Sequence, residues 1–351
     1  MKILHLIAST GVGGAEKHLL DLCLQQRAFG LDVSVALPQE GALSQALQSH
    51  GIDYALIHTG GRWHPLALWS LRRVIRRIRP DLVHAHMLKS AAMAGIVCRP
   101  IPCVATAHNI VKNHAPFRHC RHVICVSDMV RDSLIRSGYS EAMTTVVHNA
   151  VDTRAFNNLK RDEVRRLHGW QDQLIVLCVA RLVPAKGQRY AIEALPQLLV
   201  QLPAIRLVLA GEGEDREALL QLAAKLGVSA HLALLGSRND IADLLAATDI
   251  YLQPSIKEGF CIAFLEAMAT GLACIGTETG AIPAMLKSGI NGVLIHPADS
   301  AAIVDAVLSI ATDADRRRRY QQAAKITANT QFSPQKQMLD TLAVYRQVLN
   351  R

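Results

Sequence analysis

Two cations, Arg181 and Lys186, stand five residues apart in Val179-Ala180-Arg181-Leu182-Val183-Pro184-Ala185-Lys186-Gly187. An apolar run precedes them, and a proline and a glycine accompany them, so the segment reads as a strand passing into a loop. A guanidinium fork and an ammonium point charge held in one loop suit a diphosphate. A second constellation is Pro254-Ser255-Ile256-Lys257-Glu258-Gly259-Phe260-Cys261-Ile262, running into Ala263-Phe264-Leu265-Glu266-Ala267-Met268. A helix starting near Cys261 would aim its unpaired N–H groups back at the loop, a ready anion site. Glu266 falls about one turn into that helix among apolar neighbours, where a carboxylate is costly unless something pairs it. Ribose hydroxyls, which donate hydrogen bonds, would do so. A third segment is Ser9-Thr10-Gly11-Val12-Gly13-Gly14-Ala15-Glu16. Its glycines, Gly13 and Gly14 among them, let backbone approach a phosphate or sugar at the start of a helix reaching about residue 29. The dinucleotide fingerprint fails, because Glu16 occupies the place of its third glycine. The second strand ends in Leu37-Pro38 without an acid to hold a ribose, which disfavours an NAD enzyme. His108, in Thr106-Ala107-His108-Asn109, sits at a strand's carboxyl end, where open α/β sheets bind ligands.

These residues need elements to hold them. Short apolar runs alternate with longer helix-like segments, the pattern of a parallel α/β sheet. Strands are expected over 3–8, 33–37, 54–57, 82–86, 103–107, 122–126 and 145–148. A polar stretch over 153–162 interrupts the pattern, which then restarts over 174–180, 206–210, 232–235, 250–253, 273–276 and 293–295. A helix is expected from about Gln188. The tail from Arg316 reads as helix, broken near Phe332-Ser333-Pro334. The expected organisation is a first doubly wound domain over 1–155 and a second over 156–330. The last segment, 331–351, is a helix crossing back to the first domain.

Composition narrows the classes. Of 351 residues, 50% are hydrophobic and 19% charged, which places the chain among globular proteins and away from disordered ones. The opening Met1-Lys2-Ile3-Leu4-His5-Leu6-Ile7-Ala8 has the apolarity of a signal peptide, but Gly-rich turn chemistry follows at once, so a buried strand is expected. No apolar run reaches the ~18 residues of a spanning helix, so a cytoplasmic or membrane-peripheral protein is expected. The 8 cysteines suggest no disulfide framework. Cys98, Cys103, Cys120 and Cys125, interleaved with His108, His114, His119 and His122, raise a zinc reading. Cys103 and Cys125 lie inside strand-like runs, so core packing is the preferred one.

The chain carries a formal charge of +9, and residues 1–155 supply seven of that surplus, with 17 basic and 10 acidic residues. Twelve of the 15 histidines fall there too. An anionic substrate or surface is expected for that half.

Taken together and in order, Gly11–Glu16, Arg181 with Lys186, and Glu258 with Glu266 resemble the family-4 retaining glycosyltransferases of the GT-B fold. Asp81-Leu82-Val83-His84-Ala85-His86, Val126-Ser127, His148-Asn149-Ala150-Val151-Asp152, Leu209-Ala210-Gly211-Glu212-Gly213 and Asn291-Gly292 extend the likeness over nearly the whole chain. The resemblance implies an α/β architecture of two Rossmann-like doubly wound domains facing across a cleft. It implies a nucleotide-sugar donor, retention of the anomeric configuration, and neither cofactor nor metal. On that basis Arg181 and Lys186 clamp the donor diphosphate, Glu266 holds the ribose and Glu258 orients the sugar. Backbone N–H groups of Phe260, Cys261 and Ile262 bind phosphate or sugar oxygens, and Gly13 and Gly14 close over the donor. His108 faces the sugar, and base selection rests on backbone near Gly236. Four positions depart from the family's pattern: Ala150, Cys261 and Ala281 stand where glycines are common, and Ala284 where a glutamate is.

The acceptor side is implied more loosely. Leu68, Leu71, Ile75 and Ile78 form an apolar stripe opposite Arg72, Arg73, Arg76 and Arg77. Such a helix can lie on an anionic membrane with Trp63 and Trp69 at the interface, or pack its stripe on the sheet. The resemblance implies a bacterial envelope glycan or lipid-linked acceptor, as in lipopolysaccharide synthesis, at the cytoplasmic face of the inner membrane. Nucleic acid is disfavoured, because no interleaved aromatic platform appears. Two other readings stay open: a degenerate homologue that binds without catalysis, and a nucleotide-sugar epimerase or hydrolase on the same fold.

Overall fold

The computed structural model describes residues 1–9, 13–58, 64–99, 101–156 and 160–350. The chain divides into two compact units, Met1–Ala150 with Pro334–Arg351, and Val151–Ser333. The first unit holds a seven-stranded sheet of β1 (Lys2–Ile7), β2 (Asp32–Leu37), β3 (Asp53–Leu56), β4 (Leu82–His86), β5 (Cys103–Ala107), β6 (His122–Cys125) and β7 (Thr144–Val146). Their order is β3-β2-β1-β4-β5-β6-β7, and every pairing is parallel. All residues of β4 and β5 are buried, as expected for central strands covered on both faces. The order reverses between β1 and β4, so the loops leaving those strands part and open a crevice at their carboxyl ends.

The helix Pro334–Leu349 belongs to this unit. Its Met338, Leu342, Tyr345 and Val348 pack in one buried cluster with Ile3, Leu82, Val104, Ile124 and Val147 from across the sheet. A proline at its start supplies the φ a first helical turn requires and ends the preceding helix, Ala314–Gln331.

The second unit holds β8 (Leu174–Val179), β9 (Ile205–Ala210), β10 (Leu232–Gly236), β11 (Ile250–Gln253), β12 (Ala273–Thr277) and β13 (Gly292–Ile295). They form a parallel sheet in the order β10-β9-β8-β11-β12-β13. Its order reverses between β8 and β11, and the helices Gln188–Gln201 and Ser300–Ala311 bury Leu195, Leu198, Ile303 and Val307 in one core with Val176, Leu207 and Ile275.

The helix Pro65–Ile78 divides its apolar stripe between the two expected roles. Its buried face is Ala67, Leu71, Val74 and Ile75, while Leu68 and Ile78 are only partly covered. Half of the expected stripe, Leu71 and Ile75, is therefore spent on the unit's own core, joined by Ala67 and Val74. What faces outward is Leu66, Trp69 and the four arginines, with Arg73 stacked over the Trp69 ring at 5.8 Å. Arg62 and Trp63 lie outside the described residues.

Candidate active site

In the second unit the Arg181–Lys186 loop leaves β8 and the Pro254–Gly259 loop leaves β11, so the two flank the switch point. Backbone holds them together. The Ala185 carbonyl accepts from both Ile256 N (2.9 Å) and Lys257 N (3.0 Å). Gly187, at φ +68, lies so close that a Cβ there would stand 2.0 Å from the Pro254 carbonyl oxygen. Only glycine meets both demands, the left-handed backbone and the missing side chain.

That contact delivers Lys186 to Glu258. Their side chains bond at 2.6 Å, with 17% and 7% of each exposed. Burial alone would pull the Lys186 ammonium down. The Glu258 carboxylate beside it holds it above its ordinary value, so it stays a cation. Glu258 also accepts from the Ser255 hydroxyl (3.2 Å) and the Gly259 N–H (3.3 Å). Ser255 is fixed in turn by Gln253 Nε2 (2.9 Å), and Gln253 by the Tyr251 hydroxyl (3.0 Å). From the far side, the Gly280 loop presses on the acid: a Cβ at Gly280 would meet Glu258 Cβ at 2.7 Å.

Arg181 is differently placed. Its carbonyl is anchored by Gln188 Nε2 (2.8 Å), while its side chain is exposed and forms no ion pair among the described residues. It is thus a cation available to an anionic ligand, in the same loop as Lys186, whose ammonium is paired with Glu258.

The helix after the loop runs Ile262–Thr270, with Cys261 as its N-cap in extended backbone. Phe260 and Cys261 are buried, and the apolar surroundings push the Cys261 thiol well up, so it stays protonated. Glu266 is buried on this helix, with 7% exposed. Ala281 is fully buried in right-handed helical backbone, so its methyl enters the core and nothing there demands glycine. Gly236 ends β10 at φ +73, its carbonyl accepting from Gly211 N at 2.8 Å.

In the first unit, a cavity of about 330 Å³ opens at the carboxyl ends of β1, β4 and β5. Ser9, Lys89, Ser90, His108 and Asn109 supply its polar lining. Met87, the residue after β4, has φ +72, a strained conformation for a non-glycine residue. Gly13 caps the helix Gly14–Ala28 in extended backbone. Thr10, Gly11 and Val12 lie outside the described residues.

His108 is not an isolated loop histidine. It is 9% exposed, and its Nε2 lies 3.3 Å from His86 Nδ1, while His5, His18 and His84 crowd behind. The cysteine-centred zinc reading shares only His108 with this group. All eight cysteines are buried and free. Two trios could offer metal-ligand nitrogens within 4.8 Å of one another, His5-His84-His86 and His18-His86-His108. Hydrogen bonds already occupy both ring nitrogens of His5, His84 and His86. His84 and His86 alternate on one buried face of β4, with His5 in register with His84 on β1. That alternation was the signal to follow in the sequence.

The family model for glycosyl transferases group 1 matches residues 160–327, and that for glycosyltransferase family 4 matches residues 12–155. The chain belongs to this glycosyltransferase family. Its fold is theirs: a crystal structure of Anabaena HepE in complex with UDP-glucose superposes with a TM-score of 0.90, covering 99% of this chain and 100% of that one at 25% identity. The N-acetyl-alpha-D-glucosaminyl L-malate synthase of Bacillus anthracis is 28% identical over 204 residues, which are 58% of this chain and 53% of that enzyme. The UDP-Gal:alpha-D-GlcNAc-diphosphoundecaprenol alpha-1,3-galactosyltransferase of Escherichia coli is 27% identical over 272 residues, 70% of each.

Two outcomes follow from this glycosyltransferase's sites. Lys186→Ala leaves a buried carboxylate unpaired and should cost about 3 kcal/mol in urea unfolding. Adding Glu258→Gln should recover part of that loss, whereas strictly additive losses would mean that the pair does not interact. The buried histidines set the second. Burial lowers His5 and His18 to about 4, and lowers His84, His86 and His108 well below their ordinary value of 6.5. Folded rings therefore bind fewer protons than unfolded ones. Their contribution to stability is complete above pH 6.5 and is withdrawn as pH falls towards 4, by up to about 1.4 kcal/mol per pH unit for each ring. Urea midpoints should fall steadily from pH 7 to pH 5; a flat profile would contradict neutral burial.

Proposed function

We propose that this glycosyltransferase moves a sugar from a UDP-linked donor to a glycan or lipid-linked acceptor of the bacterial envelope, with retention and without metal. The observation that carries the reading is the cationic pair at the second unit's switch point: Arg181 free for an anion, Lys186 held charged by Glu258. These two take the diphosphate and meet the charge that grows on its bridging oxygen as the glycosidic bond breaks, the task a divalent ion would otherwise perform. The first N–H groups of the helix Ile262–Thr270 add to that field. Glu266 takes the ribose hydroxyls. Glu258, fixed from three sides, orients the sugar.

The reaction then needs no enzyme nucleophile. The acceptor oxygen approaches C1 on the face the diphosphate leaves, the new C1–O bond forms as the old one breaks, and the acceptor proton passes to the departing diphosphate oxygen. Uridine is favoured because HepE was solved with UDP-glucose and the Escherichia coli relative is named for UDP-Gal. Retention is favoured because two relatives are named for alpha-glycosides. For the acceptor, the same Escherichia coli name specifies a diphosphoundecaprenol. A lipid-linked substrate also fits the outward Leu66, Trp69, Arg72, Arg73, Arg76 and Arg77 of the first unit, which suit an anionic bilayer surface. Among the described residues no helix is long and apolar enough to cross a membrane.

Turnover of UDP-glucose, UDP-galactose and UDP-N-acetylglucosamine with polyprenyl-diphosphate-linked sugars, in excess EDTA, tests this reading. Proton NMR of the product should show an alpha-anomeric signal, and Arg181→Ala should lower kcat/KM by about 100-fold. A beta-linked product, or activity that disappears with EDTA and returns with Mg²⁺ or Mn²⁺, would contradict it.

A further inference from the structure

An unbroken line of hydrogen bonds runs through the first unit from the C-terminal helix to His108. Gln26 sits at its middle and gives it a direction, because an amide has a donor end and an acceptor end. Gln26 Nε2 donates to the Tyr345 hydroxyl at 3.0 Å. That hydroxyl then donates to His84 Nδ1 at 2.6 Å, and His84 donates from Nε2 to Thr106 Oγ1 at 2.6 Å. On its other side, Gln26 Oε1 accepts from His5 Nε2 at 2.7 Å. A neutral imidazole carries one N–H, so His5 Nδ1 is an acceptor and takes the proton of His86 Nε2 at 2.9 Å. By the same rule His86 Nδ1 takes the proton of His108 Nε2 at 3.3 Å. Apart from His108, at 9%, every member of the line named here is at most 1% exposed, so water does not compete for these bonds.

We infer that this line fixes His108 as the Nε2–H tautomer, leaving Nδ1 as its lone pair for a substrate hydroxyl, with Gln26 and Tyr345 as the positioning residues. The inference that a hydroxyl is met there rests on the reading of His108 as sugar-facing; the tautomer itself does not. The same atoms would also be satisfied if the Gln26 amide turned over and every proton crossed its bond, which would make His108 an Nδ1–H donor. The line therefore has two fully bonded states, and the amide orientation selects between them. Gln26, bonded to Tyr345 at one end and His5 at the other, thereby couples the C-terminal helix to whether His108 accepts or donates.

Selective ¹⁵N-histidine labelling of the full chain, with long-range ¹H–¹⁵N correlation, reads the tautomer directly; His108→Gln assigns the signals. In the wild type His108 should be protonated at Nε2 and bare at Nδ1. Gln26→Met keeps the volume but removes the acceptor, and should move the His108 tautomer ratio roughly tenfold, the worth of one lost hydrogen bond. Tyr345→Phe frees the amide and should move it the same way. Gln26→Glu retains an acceptor for His5 and should preserve the His108 signals, while those of His84 change because a carboxylate cannot donate to Tyr345. A wild-type His108 protonated at Nδ1, or a spectrum that Gln26→Met leaves unchanged, would overturn the inference. Turnover of the same variants separates the two claims. A shifted tautomer with undiminished kcat would remove His108 as a sugar contact and leave the positioning line in place.

Discussion

The second unit's chemistry depends on one backbone carbonyl, that of Ala185, which accepts from both Ile256 and Lys257. Through it the loop after β8 is fastened to the loop after β11, across the point where strand order reverses. Everything of consequence follows from that closeness: Gly187 must lack a side chain, Lys186 meets Glu258, and Glu258 is wedged against Gly280. A lysine buried without its acid would shed its proton. Paired, it remains a fixed positive charge in a partly dry site, where charge acts more strongly than it does in water.

The first unit solves a different problem by similar means. Five histidines stand in or beside the centre of a parallel sheet, where each ring nitrogen needs a partner. Neutral imidazoles linked donor to acceptor satisfy most of that need, and the C-terminal helix supplies the tyrosine that continues the line. His18 is the exception, with a buried Nε2 that finds no partner among the described residues. The arrangement stabilises the fold only while the rings are neutral, so acid resistance is given up for a defined polar core.

Much of this was legible in the chain. Every expected strand exists, with ends displaced by at most a residue or two, because buried parallel strands are continuous apolar runs bounded by turn residues. Arg181, Lys186 and Glu258 stood out because charge at a strand's carboxyl end is conspicuous, and β8 and β11 do flank the switch point. The polar line escaped notice for a physical reason. Gln26 and Tyr345 are 319 residues apart, on helices whose contacts no local period encodes. The arginine helix illustrates the same limit: periodicity located an apolar stripe, but only packing could choose Val74 over Leu68 and Ile78 as buried members.

Isothermal titration of UDP into the full chain, in EDTA, addresses the central claim that two protein cations hold the donor diphosphate. The wild type should bind, and Arg181→Ala should weaken binding by about 10- to 100-fold, the worth of a charge-assisted hydrogen bond to phosphate. Lys186→Ala should weaken it further still, since it also leaves Glu258 as an unpaired anion facing the ligand. Equal affinity in all three proteins would place the diphosphate elsewhere and contradict the account.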